Sequence, residues 1–406
     1  MLTIGALGIS NPSLEGMISF CGLDLQRASL HGRFTREAVV FLEKCLDFVF
    51  KARIRCEEKL QSRLFDHFKN VYIFDSSVCE LNPRIKNIFP GTGGCGSDAS
   101  CKIQLGYEVK KGIISLFRLT SGRSSDSRFM QSRPVKFLRN DLILFDLGYF
   151  SLKTFSALVH QGSYFLSRFM YQTALYDPVS CEQINFAERL KQVKTTYQAT
   201  VLMGKPKEDR ILCRIVAIRA NEEIVSQRRR GLKRRCGQKR RQPSKEALDM
   251  CNWTIMVTNI SQEWLPLDMV TSLYSLRWQI ELLFKQIKSQ LRIEKINTAK
   301  EYRCRCEILG KMIMAILIQQ VHSHYNIKIW NSSRREVSIE KLYKRLNERA
   351  KIILDLILKK TFNSFIKYMT KEMDLLMKTC LKGVQKNRRN IMELLEFGPV
   401  DKYLIP

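Results

Sequence analysis

Apolar and polar positions follow two periods along this chain, and the changes of period mark its regions. Residues 36–60 carry Val39, Val40, Leu42, Leu46, Phe48, Val49 and Ile54 among charges, a helix-like spacing. Asn11-Pro12-Ser13-Leu14-Glu15 offers a helix start with Ser13 as N-cap, so residues 1–65 read as helical. Val71-Tyr72-Ile73-Phe74 is then a short apolar run ending at Asp75, and a Gly-rich loop follows at Gly91–Gly96. Lys102–Val109 and Gly112–Leu119 read as strands joined by a hairpin turn at Lys110-Lys111. Residues 121–128 read as loop, Asp141–Phe145 as a strand ending at Asp146, Ser151–His160 as a helix and Ser163–Phe169 as a strand. The order β-β-β-(loop or helix)-β-α-β predicts a mixed sheet with carboxylates at the ends of apolar strands, which is what a ribonuclease-H-like core requires.

Residues 170–260 change character. Ala199–Met203, Ile211–Ala217 and Thr254–Val257 read as strands. Between them lie Arg228, Arg229, Arg230, Lys233, Arg234, Arg235, Lys239, Arg240 and Arg241, with no acid. That tract reads as a solvated, mobile loop. From residue 264 the period is helical nearly to the end, with one long amphipathic helix over Leu267–Leu291 and more helices in 303–325 and 338–395. The expected class is α/β. A helical N-terminal DNA-binding region spans 1–65, and the first part of a ribonuclease-H-like mixed-sheet core spans 66–169. An inserted β-rich subdomain with a basic loop occupies 170–260, the core helix and closing helices 261–325, and a helical C-terminal region 326–406. For residues 1–65 a plain helical cap on the next domain is an equal alternative.

Composition narrows the partners. The 406 residues hold 68 Lys plus Arg against 39 Asp plus Glu, a net charge of +29, and the isoelectric point is about 9.7. Such an excess points to a polyanion, with nucleic acid ahead of an anionic membrane surface. The longest apolar runs, such as Met312–Ile318, are far short of the roughly 20 residues a membrane span needs. Met1–Ser10 lacks the basic flank of a signal peptide. The 13 cysteines are an odd count without a CxxC pair, which suits reduced thiols in the cytosol. Cys304 and Cys306 form a lone CxC, and His322 and His324 a lone HxH. These do not build a four-ligand zinc set.

The chemistry concentrates in the helix over 267–291. Tyr274, Arg277, Glu281 and Lys288 fall at about 0°, −60°, −20° and −40° when each residue turns about 100°. Lys285 lies beside them. One stripe thus carries a phenol, a guanidinium, a carboxylate and ammonium groups. The plain alternative is a solvated face on which Arg277 pairs with Glu281.

Tyr274-x2-Arg277-x3-Glu281-x6-Lys288 resembles the Y-R-E-K signature of bacterial insertion-sequence DDE transposases of the IS-four family. The run Tyr274-Ser275-Leu276-Arg277-Trp278-Gln279-Ile280-Glu281-Leu282-Leu283-Phe284-Lys285 is similar to that family throughout. Asp75 in Phe74-Asp75-Ser76-Ser77 resembles its first catalytic Asp, and Asp146 in Phe145-Asp146-Leu147-Gly148-Tyr149-Phe150 its second. The likeness covers roughly residues 10–325, including His31-Gly32-Arg33-Phe34.

The resemblance implies cut-and-paste transposition, with Asp75, Asp146 and Glu281 holding two Mg²⁺ ions, or Mn²⁺ in their place. Elementary chemistry agrees: phosphodiester cleavage and strand transfer use two divalent ions about 3.5–4 Å apart, and hard ions take carboxylate oxygens. The alternative for each Asp alone is a turn or cap residue. Arg277, Lys285 and Lys288 would hold backbone phosphates, and Tyr274 would bond a phosphate oxygen. Trp253 resembles a family position that takes a flipped base; its alternative is a Trp in a sheet core. Arg168 and the tract at Arg228, Arg229, Arg230, Lys233, Arg234 and Arg235 would hold DNA phosphates without reading sequence, or else be solvated surface. Expected partners are double-stranded DNA, as terminal inverted repeats and target, and a second copy in a synaptic homodimer. No membrane partner is expected, and the expected place is the prokaryotic cytoplasm, at the nucleoid. Family members usually carry further residues before this chain's Met1-Leu2-Thr3-Ile4, so the repeat-binding part is expected to be incomplete. The rival readings are a truncated, non-mobile DNA-binding remnant or inhibitor of transposition, and a metal-dependent nuclease.

Overall fold

The structure is a computed structural model that describes residues 13–52, 65–93, 96–132, 134–205, 210–359, 362–383, 392–393 and 396. The expectations for Met1–Ser10, Ile54 and the Gly94-Cys95 part of the Gly-rich loop lie outside the described residues.

Among the described residues, nine strands form one mixed sheet in the order β3-β2-β1-β4-β5-β9-β8-β7-β6. They are β1 (Val71–Glu80), β2 (Ser100–Glu108), β3 (Ile113–Ser121), β4 (Leu142–Phe145), β5 (Tyr164–Arg168), β6 (Leu175–Tyr176), β7 (Thr196–Met203), β8 (Ile211–Arg219) and β9 (Trp253–Thr258). β1, β4 and β5 run parallel, with Ile73 opposite Leu144 and Leu144 opposite Leu166. β9 joins β5 antiparallel and carries the sheet on into β8, β7 and β6. The strand order 3-2-1-4-5 is the ribonuclease-H-like arrangement. The strands of the 170–260 region extend that same sheet.

The chain divides into two compact units. Unit 1 holds residues 1–61, 75–124 and 278–396, and unit 2 holds 62–74, 125–277 and 397–406. The boundary falls inside β1 and again between Arg277 and Trp278.

Unit 1 begins with α1 (Leu14–Cys21), α2 (Arg27–Gly32) and α3 (Arg36–Lys51). Ser13 caps α1 by accepting from Gly16 N at 2.9 Å, as its sequence context predicts. α10 (Trp278–Leu291), α11 (Glu301–Ser333), α12 (Ile339–Lys359) and α13 (Phe362–Thr379) complete it. α11 is buried on nearly every side, so its polar groups need partners within the protein. Gln319 donates to the Gly112 carbonyl at 2.9 Å and Gln320 to the Val49 carbonyl at 2.9 Å. Ser323 donates to the Lys111 carbonyl. The β2–β3 turn is thereby tied to α11. Gly112 there has φ 65°, and a Cβ would come 2.9 Å from Ser323 Oγ, so glycine answers both demands.

Unit 2 has α4 (Asp126–Gln131), α5 (Leu152–His160), α6 (Phe186–Lys191), α7 (Glu222–Gln238), α8 (Lys245–Met250) and α9 (Leu267–Ser275). Every residue of β4 is buried. Its entry is fixed by buried Asp141, which accepts from Asn70 Nδ2 and from Leu138 N, each at 2.7 Å. Phe155 of α5 stacks on Phe165 of β5 with centroids 4.4 Å apart.

Four expectations need correction. The strand expected to end at Asp75 runs on to Glu80, so Asp75 lies in mid-strand. The end of the stretch expected as loop, residues 126–128, belongs to α4, with Ser125 as N-cap. The basic tract is not a loop: Arg228 to Arg235 lie on α7, whose N-cap Asn221 accepts from Ile224 N at 2.9 Å. Charge density predicts solvation, and solvated it is, but a capped helix with Glu222 and Glu223 in its first turn is compatible with that. The expected helix over 267–291 is two helices, α9 and α10. Leu276 N bonds to Leu273 O at 3.2 Å and Arg277 N to Tyr274 O at 3.0 Å, which tightens the chain to three-residue turns at that point. No Gly or Pro marks the break in sequence.

Candidate metal and nucleic-acid site

The break between α9 and α10 sorts the expected stripe into two groups. In unit 1, the face of α10 and the middle of β1 line one open cavity of about 470 Å³. Asp75 and Glu281 contribute carboxylates to it, and Lys285 and Lys288 contribute ammonium groups. Amphipathic spacing explains this part. Ile280, Leu283, Phe284 and Ile287 turn inward, which leaves Glu281, Lys285 and Lys288 along the open side. Asp75 Oδ1 also accepts from Ser76 N at 2.8 Å. A third carboxylate, Glu294, lines the same cavity. The motif does not mark it, because it sits in a short 3-10 turn entered through left-handed Arg292 (φ 48°).

In unit 2, Asp146 follows the last residue of β4 and sits at the N-cap position of a 3-10 turn at Leu147–Tyr149, without a side-chain capping bond. Arg277 Nε lies 4.0 Å from Asp146 Oδ1. Tyr274 is buried, and its hydroxyl donates to the Phe145 carbonyl at 3.2 Å. Burial pushes its phenol well above the ordinary tyrosine range, against the pull of the Arg277 charge. This phenol is therefore a neutral donor that ties α9 to the end of β4. Arg168 ends β5 and is half-buried, and its charge reaches both Tyr274 and Arg228.

Trp253 is the first residue of β9, paired with Arg219 of β8. It is only 8% exposed, and the Arg219 guanidinium lies 5.9 Å from its ring centroid. The indole is part of the sheet core in this conformation. Arg228 and Arg229 face the protein. Arg228 donates to the Trp253 carbonyl at 3.0 Å and to Thr254 Oγ1 at 2.9 Å, and Arg229 to Asn252 Oδ1 at 3.2 Å. Arg230, Lys233, Arg234 and Arg235 are exposed.

The donor chemistry fits a hard divalent cation. Asp75 and Glu281 offer carboxylate oxygens in one open cavity, and no thiol or imidazole lines it. Among the described residues, no group of three or more His, Cys, Asp or Glu stands close enough to hold an ion. Also among the described residues, no helix is long and apolar enough to cross a membrane.

A ribonuclease-H-like sheet, with Asp75 on β1, Asp146 just after β4 and cations beside each, defines a polynucleotide-processing enzyme that works with divalent metal. The family model "Transposase DDE domain" matches residues 66–318, and the chain belongs to that family. It is similar to the transposase for insertion sequence element IS231F of Bacillus thuringiensis subsp. israelensis, at 25% identity over 92% of this chain and 81% of that one. It is also similar to the transposase for IS231E of Bacillus thuringiensis subsp. finitimus, at 26% identity over 92% and 81%. The transposase for IS1151 of Clostridium perfringens matches at 26% identity over 92% and 82%. Among solved structures, a cryo-EM structure of a piggyBac transposase synaptic complex with hairpin DNA aligns over 95% of this chain and 76% of that one. Its TM-score is 0.45 and its identity 12%. The chain is an insertion-sequence DDE transposase, an enzyme that cleaves and joins DNA and depends on divalent metal.

Proposed function

We propose that this transposase moves its element by cut-and-paste, cleaving DNA at terminal inverted repeats and joining the freed 3′ ends to target DNA. Asp75, Glu281 and Asp146 are the carboxylates of the reaction. The observation that carries this reading is the cavity that brings Asp75 and Glu281 together, with Lys285 and Lys288 beside them, from segments far apart in sequence. Asp146 is assigned with them on its sequence context, Phe145-Asp146-Leu147-Gly148-Tyr149-Phe150, which resembles the family's second motif.

Asp75, Glu281 and Asp146 would be the ligands of the metal, two Mg²⁺ ions or Mn²⁺ in their place, which would supply activation of the attacking oxygen and stabilisation of the leaving one. The protein's own groups do the rest. Lys285 and Lys288 hold backbone phosphates over the carboxylates, which sets the register of the scissile bond. Arg277 and Arg168 offset phosphate charge on the Asp146 side. Tyr274 keeps α9 seated against β4 through its bond to the Phe145 carbonyl. The helical N-terminal region recognises the repeats, and a homodimer pairs the two ends. The work is done on DNA in the bacterial cytoplasm, at the nucleoid.

The test is cleavage of a supercoiled plasmid bearing the two flanking repeats, with Mg²⁺, by the wild type and by Glu281→Ala. Excision by the wild type alone, with DNA binding kept by both, supports the reading. Equal excision by both overturns it.

A further inference from the structure

The basic tract is the densest charge in the chain, yet the structure does not use its residues alike. α7 has no fully buried residue, so apolar packing holds it only in part. At about 100° per residue, Ile224, Val225, Arg228, Arg229, Leu232 and Cys236 share one side, and all of these are half-buried. Arg230, Lys233 and Arg234 gather on the opposite side, and all three are exposed. The inner side is fastened by hydrogen bonds. Arg228 reaches the Trp253 carbonyl and Thr254 Oγ1, and Arg229 reaches Asn252 Oδ1, at 2.9–3.2 Å. These bonds tie α7 to the start of β9.

The outer side is different. Arg230 makes one long bond, at 3.4 Å, to the Ser226 carbonyl of its own helix. Arg230 faces Lys233 and Arg234 at i,i+3 and i,i+4, spacings at which like charges destabilise a helix by a few tenths of a kcal/mol each. The acids of α7, Glu222 and Glu223, lie at its far N-terminal end. Lys239, Arg240 and Arg241 continue the exposed charge beyond the helix. Such a repulsive row is relieved by a polyanion laid along it.

We infer that the tract is two devices. Arg228 and Arg229 are positioning residues that hold α7 on β9, and Arg230, Lys233 and Arg234 form a surface that follows the phosphate backbone of duplex DNA irrespective of sequence. This rests on the reading of the chain as a DNA transposase and refines it, since it removes Arg228 and Arg229 from the DNA-contacting set.

The experiment measures binding of full-length protein to a blunt duplex of unrelated sequence across a series of salt concentrations. Each phosphate neutralised contributes about 0.9 to the slope of log K against log salt. Replacing Arg230, Lys233 and Arg234 together by Gln should lower that slope by about 2.7. The charge-conserving set Arg230→Lys, Lys233→Arg and Arg234→Lys should keep the wild-type slope, which separates charge from folding. A steep wild-type slope left unchanged by the Gln set overturns the outer surface. A wild type without salt-dependent duplex binding overturns the DNA reading itself. For the inner side, Arg228→Lys keeps the charge and loses the two-pronged bond. It should speed amide hydrogen exchange across residues 222–238 in DNA-free protein while the slope stays within about one unit of wild type. Unchanged exchange there overturns the positioning role.

Discussion

The two units treat their carboxylates in opposite ways. In unit 1, Asp75 and Glu281 line an open cavity in company with ammonium groups on flexible stems. In unit 2, Asp146 has the Arg277 guanidinium 4.0 Å away, just past the end of a helix whose Tyr274 is buried and bonded to the Phe145 carbonyl. The first arrangement sets carboxylates and mobile ammonium groups around one open cavity, the combination on which the proposed metal and phosphate binding rests. The second sets one carboxylate opposite a guanidinium that offsets its charge. Arg and Lys are not equivalent in these roles: the planar guanidinium holds geometry, whereas the ammonium is a mobile point charge.

The sharpest way to break this contrast is to remove a cavity carboxylate. Glu281→Gln keeps size and loses charge. Cleavage should fall by more than about 100-fold, beyond the 10–100-fold that loss of an outer partner of a metal ligand costs. A gel-shift on the same DNA should be unchanged. Cleavage within a few-fold of wild type would remove Glu281 from the chemistry.

Arg277→Lys tests the fixed partner. If the guanidinium orients Asp146, cleavage should fall about 10–100-fold even though the charge is kept. Lys285→Arg, the reciprocal change in the cavity, should cost far less, because a phosphate accepts either cation. Equal losses in the two variants would erase the distinction drawn between the units.

Tyr274→Phe should cost about 1 kcal/mol of unfolding free energy, since it leaves the Phe145 carbonyl without its donor. Denaturant titration reads this directly, and a neutral result would show that α9 is seated by its apolar face alone.

The smallest effect is a slope with pH in unit 1. Burial lowers the His322 pKa from its ordinary 6.5 to about 4, with its Nε2 2.9 Å from the Val337 carbonyl. Between those values the unfolded chain takes up a proton that the folded chain refuses. The stability tied to neutral His322 is therefore full above about 6.5 and declines as the pH falls toward about 4. His322→Gln should flatten that part of a melting-temperature profile. A profile identical to wild type would mean that other groups control the acid limb.

Much of this was legible in the chain. The apolar runs before Asp75 and Asp146, the hairpin over β2 and β3, and helix α5 follow from patterns that local chemistry imposes, although β1 continues past Asp75 to Glu80. So does the open side of α10, where Glu281, Lys285 and Lys288 recur at helical spacing opposite Ile280, Leu283 and Ile287. The residues at risk of misreading were those whose setting is remote in sequence. Trp253 carries the same indole whether it faces solvent or the sheet, and only strand pairing with Arg219 decides that it is covered.

By itself, then, the order of residues determined the alternating strands, the amphipathic helices, the excess of positive charge and the spacing Tyr274, Arg277, Glu281, Lys288. These depend on backbone geometry and neighbours a few residues away. Tertiary structure decided three further things. It split the helix over 267–291, where Leu276 N and Arg277 N bond three residues back and the chain turns more tightly. It folded the basic tract into α7, because Arg228 and Arg229 find backbone and side-chain partners at the start of β9. It placed Glu294 in the cavity of Asp75 and Glu281, because a left-handed turn at Arg292 redirects the chain. Each was set by a hydrogen bond or turn joining segments distant along the chain or redirecting them, and hydrophobic period carries no record of such bonds.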